Sequence, residues 1–303
     1  MQAESECVVA MDGLTKTYKN THAVDGLTMR VPRGAVYGLL GRNGVGKSTT
    51  LRMAMGLARP TGGTLRVLGH DPTVDGERVK MLKRVGYVHE AKQLLDGATG
   101  AEMLRINAGF YPETWSQATA ERYARDLELP LGTKFRALSL GNKTKLCLVL
   151  AMAQRPELLV LDEPTTGLDP VALDQVLRLL VEDFAAEGRT VLISTHQLRE
   201  IEGVVDRVAL MNNGRVVLEA TLEGIRESYR RVVVAGQLPA WVAGEAEVLV
   251  AREERGGAEV LLRYGAEEFV ARLEAGGSNV VSVGAVSLNE LFLELNQPAA
   301  EEA

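Results

Sequence analysis

Nine consecutive residues, Gly41-Arg42-Asn43-Gly44-Val45-Gly46-Lys47-Ser48-Thr49, fit the phosphate-binding pattern GxxxxGK(S/T). Glycines let the backbone turn tightly and bring several N–H groups within reach of phosphate oxygens, and a helix that starts here adds the partial positive charge of its N-terminus. In that setting Lys47 reaches the β and γ phosphates of a nucleotide and the Ser48 hydroxyl ligates Mg²⁺. The competing reading is a glycine-rich turn from strand to helix with no ligand; the local order of strand, loop and helix favours phosphate.

A second set of chemical groups is Asp162-Glu163, which closes the apolar run Leu158-Leu159-Val160-Leu161. A central parallel strand would deliver both acids to its C-terminal edge. There Asp162 can complete the shell of a Mg²⁺ held by Ser48, directly or through water, while Glu163 polarises an attacking water. Paired acids after a strand are also common turn residues, and it is the phosphate loop that favours metal and water. His196 follows the buried run 190–194 and falls where a γ-phosphate is expected; a satisfied polar residue at a strand end is the alternative. Tyr18 has two open readings, a ring stacked on adenine or a half-exposed tyrosine on a β-edge.

These groups need elements to carry them. Residues 36–40 read as a buried strand before the phosphate loop and 47–57 as the helix after it, with Gly56 near its end. Upstream, 7–11 is a first strand, and 15–18 lead to a turn at Asn20-Thr21 before the apolar stretch 23–31. Residues 62–69 and 85–88 are strands flanking a polar helix over 77–84. From 99 to 129 the pattern turns helical, with Met103, Ile106 and Phe110 on one face, a break at Pro112 and a second helix over 115–129. A further helix follows Leu138-Ser139-Leu140-Gly141-Asn142 and ends near Gln154. Pro170 opens another helix whose apolar face runs from Leu173 to Phe184, and 208–211 and 215–219 are strands around the turn Asn212-Asn213-Gly214. Beyond Thr221, strands at 231–234, 247–250, 259–262 and 280–283, a helix at 267–275 and a last helix with Leu288, Leu291, Phe292 and Leu295 on one face suggest a small α+β domain after a boundary near 222–228. Trp241 is as readily core as contact.

The chain has 303 residues, 46% of them hydrophobic and 24% charged, which places it among globular rather than disordered chains. A formal net charge of -6 disfavours broad binding to nucleic acid. The two cysteines, Cys7 and Cys147, lack CxxC spacing and sit in apolar surroundings, so buried thiols in a reducing compartment are expected rather than a disulfide. Residues 1–6 are acidic, without the basic and apolar regions of a secretory signal, and no apolar run approaches the ~18 residues of a membrane span.

Taken together, Tyr18, the loop at 41–49, Ser139-Leu140-Gly141-Asn142, the strand closing on Asp162-Glu163, Thr166-Gly167-Leu168-Asp169 and His196 resemble the nucleotide-binding subunit of an ABC transporter over about residues 7–222. The C-terminal segment, ending in residues 287–295, resembles that of bacterial drug and bacteriocin exporters more loosely. The resemblance implies an α/β P-loop NTPase core of ABC ATPase type over 1–222, with an N-terminal antiparallel β-subdomain and a helical insert at 91–154, and a small α+β domain over 223–303. It also implies a head-to-tail dimer, either a homodimer or a pair with a second ATP-binding subunit, that sandwiches two ATP molecules and powers an integral membrane permease.

Carried over residue by residue, Gly41, Arg42, Asn43, Gly44, Val45, Gly46, Lys47, Ser48 and Thr49 cradle the phosphates, and Tyr18 stacks on adenine. Ser48 and Asp162 hold Mg²⁺, Glu163 is the general base and His196 contacts the γ-phosphate. Ser139 and Gly141 bind the ATP of the partner, and Asp169 communicates across the dimer. Leu140 and Asn142 depart from the family's LSGGQ. Glu90 stands where the family usually has Gln; a carboxylate there is expected to join the nucleotide and metal site and to tune the Mg²⁺ or slow hydrolysis. The resemblance places the protein in the cytoplasm, peripheral on the inner face of the cell membrane, with export favoured and the substrate left to the permease. A DNA- or ribosome-directed ATPase of the same superfamily usually needs two cassettes, coiled coils or zinc modules; one phosphate loop and no metal-spaced cysteines disfavour it. A sensor role for the C-terminal domain is compatible with the transport reading.

Overall fold

The structure is a computed structural model that describes residues 7–254 and 256–295. The acidic stretch 1–6 and the end of the expected C-terminal domain, 296–303, lie outside the described residues. Two compact units divide between Glu219 and Ala220. No helix among the described residues is long and apolar enough to cross a membrane.

The first unit opens with β1 (Cys7–Tyr18), β2 (Thr21–Pro32), β3 (Val36–Leu40), α1 (Lys47–Ala54), β4 (Gly62–Val67), α2 (Asp75–Leu82) and β5 (Val85–Val88). It continues through α3 (Gly100–Phe110), α4 (Gln117–Asp126), α5 (Leu140–Ala153), β6 (Leu158–Asp162), α6 (Pro170–Arg178), β7 (Thr190–Thr195), α7 (Leu198–Ile201), β8 (Arg207–Asn212) and β9 (Arg215–Thr221), within which the division falls. An antiparallel sheet has the order β2-β1-β4, and a six-stranded sheet the order β5-β6-β7-β3-β8-β9 with its first five strands parallel. Strands β3, β6 and β7 are buried at every position, which is why they read as continuous apolar runs rather than alternating ones. Leu51, Met53 and Ala54 of α1 join one core with Met11 and Met29 of the smaller sheet and Leu192 of the larger. Burying a side chain such as Leu51 contributes about 1.5–3 kcal/mol, so α1 is fixed between both sheets.

Several boundaries differ from the sequence reading for visible reasons. β1 runs unbroken to Tyr18 because Gly13, at φ 56, sits where the pairing register with β2 shifts, and this irregularity breaks the alternation without ending the strand. α1 stops at Ala54, before Gly56 at φ 68, rather than at Leu57. α4 starts at Gln117 because the Ser116 hydroxyl caps it, accepting from the Thr119 N–H at 3.2 Å. The helix opened by Pro170 is α-helical only to Arg178; a wider π turn over Leu179–Phe184 follows, and Ala172, Val176, Leu180 and Phe184 form its buried face. On α3 the expected face divides, with Met103 buried and Ile106 and Phe110 exposed by 41% and 74%.

The second unit comprises α8 (Leu222–Ser228), β10 (Arg230–Ala235), β11 (Val248–Glu254), β12 (Gly257–Leu262), α9 (Ala266–Ala275), β13 (Asn279–Ala285) and α10 (Leu288–Leu295). Its antiparallel sheet has the order β11-β12-β10-β13. Phe269 and Leu273 of α9 pack on Val232, Val234, Val260 and Leu262. Trp241 proves to be a packing residue here, edge-on to Phe269 at 5.3 Å with the Arg272 guanidinium 3.9 Å from its ring centre.

At the starts of β5 and β6 in the first unit, the Arg84 guanidinium donates to both Glu157 carboxylate oxygens, at 2.5 and 2.8 Å, with Arg33 at 3.2 Å. Arg84, aided by Arg33, holds the Glu157 carboxyl below its ordinary value of 4.5. The pair is partly exposed, so Glu157→Gln should cost about 0.5–1 kcal/mol in urea unfolding at pH 7. Because the folded pKa is depressed, that contribution is present above 4.5 and lost as pH falls through the folded value. Urea melts of parent and variant should therefore converge in acid.

Candidate functional site

The parallel register brings the chemical groups to one edge. Asp162 of β6 pairs with Ser194 of β7, and Leu40, which ends β3, pairs with Thr195. The phosphate loop leaves β3 beside the acids that leave β6.

Gly46 takes φ 109 at the N-cap of α1, and a Cβ there would stand 2.2 Å from the Ala23 carbonyl oxygen. β2 thus passes so close that only glycine fits. The tip of the β8–β9 hairpin supports the loop, with the Gly214 N–H donating to the Val45 carbonyl at 3.1 Å; Asn213 and Gly214 take φ 45 and 77. No side chain caps α1 and no acid lies within its first turn, so its first N–H groups lack a side-chain cap and keep the partial positive charge of a helix start. A cleft of about 190 Å³ opens over them, lined by Ala23, Asn43, Gly44, Gly46, Lys47, Ser48, Thr49, Glu90 and Glu163.

Lys47 is buried and donates to the carbonyls of Gly41 at 2.8 Å and Arg42 at 3.2 Å, with Glu163 Oε1 3.3 Å away. The other Glu163 oxygen lies 2.9 Å from His196 Nδ1. Glu163 itself takes φ 48, a left-handed conformation uncommon for a residue with a Cβ. Asp162 is fully buried; its Oδ1 accepts from the Ser194 hydroxyl at 2.6 Å and the Ser48 hydroxyl at 3.1 Å, while Oδ2 has no hydrogen-bond partner among the described residues. A buried carboxylate oxygen left open beside a serine hydroxyl, with Glu90 also lining the cleft, is a set of hard oxygen donors. It fits Mg²⁺, which commonly takes one or two protein ligands and leaves its other positions to phosphates and water.

Other expected residues lie elsewhere. Tyr18 is 45% exposed, does not line the cleft and has the Lys16 ammonium 4.8 Å from its ring centre. Ser139 caps α5 by accepting from the Asn142 N–H at 3.2 Å, and neither Ser139 nor Gly141 lines the cleft. The bulk of Leu140 rests against Gly167, where a Cβ would come within 2.5 Å of it. Asp169 caps α6, accepting from the Val171 and Ala172 N–H groups at 3.0 and 2.9 Å; the Ala172 bond, ahead of the other contributions, holds its carboxyl below the usual range. Arg42 contributes its carbonyl. Cys7 and Cys147 are free and half-buried, and burial pushes the Cys147 thiol up to about 11.

Sequence reasoning missed Ser194 and Lys92. Ser194 is the polar residue just before Thr195-His196 in an apolar strand, a signal open to reading. The Lys92 ammonium reaches the main-chain carbonyls of Glu163 at 2.7 Å and Asp162 at 3.4 Å, across 70 or more positions of sequence, and no local pattern announces it.

Residues 24–166 match the family model described as ABC transporter. The chain is 38% identical over 262 residues to the daunorubicin/doxorubicin resistance ATP-binding protein DrrA of Streptomyces peucetius, covering 84% of this chain and 77% of that one. It is 35% identical over 228 residues to the bacitracin transport ATP-binding protein BcrA of Bacillus licheniformis, covering 74% and 73%. It is 33% identical over 300 residues to Nod factor export ATP-binding protein I of Paraburkholderia xenovorans (strain LB400), covering 96% and 97%. Among solved structures, an ATP-binding subunit of an ABC transporter superimposes with TM-score 0.65 at 32% identity, covering 72% of this chain and 92% of that one. A dimeric ATP-binding cassette bound to ADP and Pi superimposes with TM-score 0.65 at 24% identity, covering 71% and 98%, a likeness of fold.

Gly46→Ala should force the Ala23 carbonyl or the loop to move. We expect nucleotide affinity, read by titration with a fluorescent ATP analogue, to fall about tenfold or more, with about 1–3 kcal/mol lost in thermal unfolding.

Proposed function

The chain belongs to the ABC transporters as an ATP-binding, ATP-hydrolysing subunit that works in pairs with a separate membrane permease, and we propose how its residues do so and that the transport is export. The observation that carries the residue assignments is the Glu163 carboxylate, shared between Lys47 and His196 beside the uncapped start of α1.

The N–H groups of residues 41–49 and the Lys47 ammonium bind the triphosphate. A phosphate oxygen at Lys47 takes the place of Glu163 Oε1, and that carboxylate oxygen becomes free to accept a proton from the attacking water. Such a base contributes about 10²–10⁴-fold to rate. His196 Nδ1, on the other oxygen, keeps the carboxylate oriented, and the ring contacts the γ-phosphate. Ser48 and Asp162, with Glu90, would hold Mg²⁺, which supplies charge neutralisation at the phosphates. Ser139 and Gly141 serve the ATP of the partner subunit, Asp169 links the two subunits and Tyr18 meets adenine.

We assign the ATPase domain to residues 1–222, with 91–154 as its helical insert, and a separate C-terminal domain to 223–303. The protein works in the cytoplasm, peripheral on the inner face of the membrane, without nucleic acid. An apolar hollow of about 520 Å³ beside α3, with Leu94, Leu95, Ile106 and Phe110 among its lining residues, supports docking of a cytoplasmic helix of the permease on the insert. The export direction rests on likeness to relatives named for drug resistance and Nod factor export.

Glu163→Gln should bind ATP as tightly as the parent while turnover falls about 10²–10⁴-fold; unchanged steady-state hydrolysis would remove Glu163 from the base role. Phe110→Asp should leave the ATP KM unaltered and abolish co-purification with the permease from detergent extracts. Retained co-purification would exclude this hollow as the docking site.

A further inference from the structure

A buried cation apart from the phosphate loop lies against the acids of the site. Lys92 is 3% exposed and ends a turn that begins at His89 and includes Glu90. The Lys92 N–H donates to the His89 carbonyl at 3.0 Å, and the Ala91 N–H donates to His89 Nδ1 at 2.9 Å. Lys92 takes φ 44, so two residues of left-handed backbone, Lys92 and Glu163, meet through one side chain. The ammonium donates to the Glu163 carbonyl at 2.7 Å and to that of Asp162 at 3.4 Å. Burial pulls this ammonium below the lysine range, opposed by the carboxylates of Asp162, Glu90 and Glu163.

The Glu163 peptide is therefore gripped from both sides. Its N–H donates to the Ser194 carbonyl at 3.1 Å, which anchors it to β7, and its carbonyl receives the charged donor of Lys92. A charge-assisted hydrogen bond is roughly twice as strong as a neutral one. Without it, the turn has less to hold it in a conformation that a residue with a Cβ disfavours. Relaxation of that φ would carry the carboxylate away from Lys47 and His196.

We propose that Lys92 is a positioning residue for hydrolysis: its ammonium holds the left-handed peptide of Glu163 and ties the Glu90 turn to the end of β6. The inference rests on the reading of Glu163 as the base. Lys92→Met keeps the reach of the side chain and removes every donor; Lys92→Gln is shorter and keeps a neutral one. The tests use the full chain, with steady-state hydrolysis, titration with a fluorescent ATP analogue, thermal unfolding and a crystal structure of the variant. We expect kcat for Lys92→Met to fall about tenfold to a hundredfold, since small misplacements of reacting groups have effects of that size. Nucleotide affinity and KM should stay within about twofold of the parent. Lys92→Gln should fall between the two, and in the crystal Glu163 should leave the left-handed region.

Folded variants with kcat within about twofold of the parent would overturn the proposal, as would a crystal with Glu163 unmoved. An equal proportional loss when Lys92→Met is added to Glu163→Gln would also overturn it, because a residue that acts through Glu163 has nothing left to position. Unfolding of both variants would count the same way, assigning Lys92 to the fold. If Glu163→Gln itself keeps full turnover, the reading of the base fails instead, and the two failures are distinct.

Discussion

The site depends on the in-register ends of three parallel strands. Because β3, β6 and β7 lie side by side and finish together, the phosphate loop, the acid pair and His196 leave the sheet as neighbours although they are far apart in sequence. The smaller antiparallel sheet adds a second constraint by bringing the Ala23 carbonyl against Gly46. Neither sheet alone would shape the cleft: one supplies the chemical groups, and the other limits how far the loop can move.

The electrostatics follow from that crowding. Lys47, Asp162 and Glu163 are all buried, and charges removed from water must find partners or lose stability. Lys47 has two carbonyls and Glu163; Glu163 has Lys47 and His196; Asp162 has two hydroxyls on one oxygen and none on the other. On the proposed assignment of these residues, a triphosphate entering this network would exchange partners among groups already in place, and little reorganisation would be needed at the reacting centre.

The parts written in local sequence were legible. The glycine spacing, the apolar run closing on two acids and the proline opening α6 marked the β3–α1 turn, β6 and α6, because each is a local rule of backbone or burial. What escaped depended on distant backbone. The bulge at Gly13 broke an alternation that the strand itself survives, and Ile106 and Phe110 kept helical spacing while facing outward. Lys92 stayed hidden because its partners are main-chain carbonyls about 70 positions away, and main-chain groups leave no mark in a residue string. The packing of Leu140 on Gly167 likewise needed coordinates, since sequence showed only a bulky residue where the family has glycine.

Ser139 and Gly141 lie outside the cleft formed by their own chain. With Ser139 and Gly141 serving the partner's ATP as proposed, each subunit would hold two different halves of a reaction centre, and a solitary copy no complete one. Specific activity would then depend on how crowded the copies are, declining on dilution and rising wherever they are held at high local concentration.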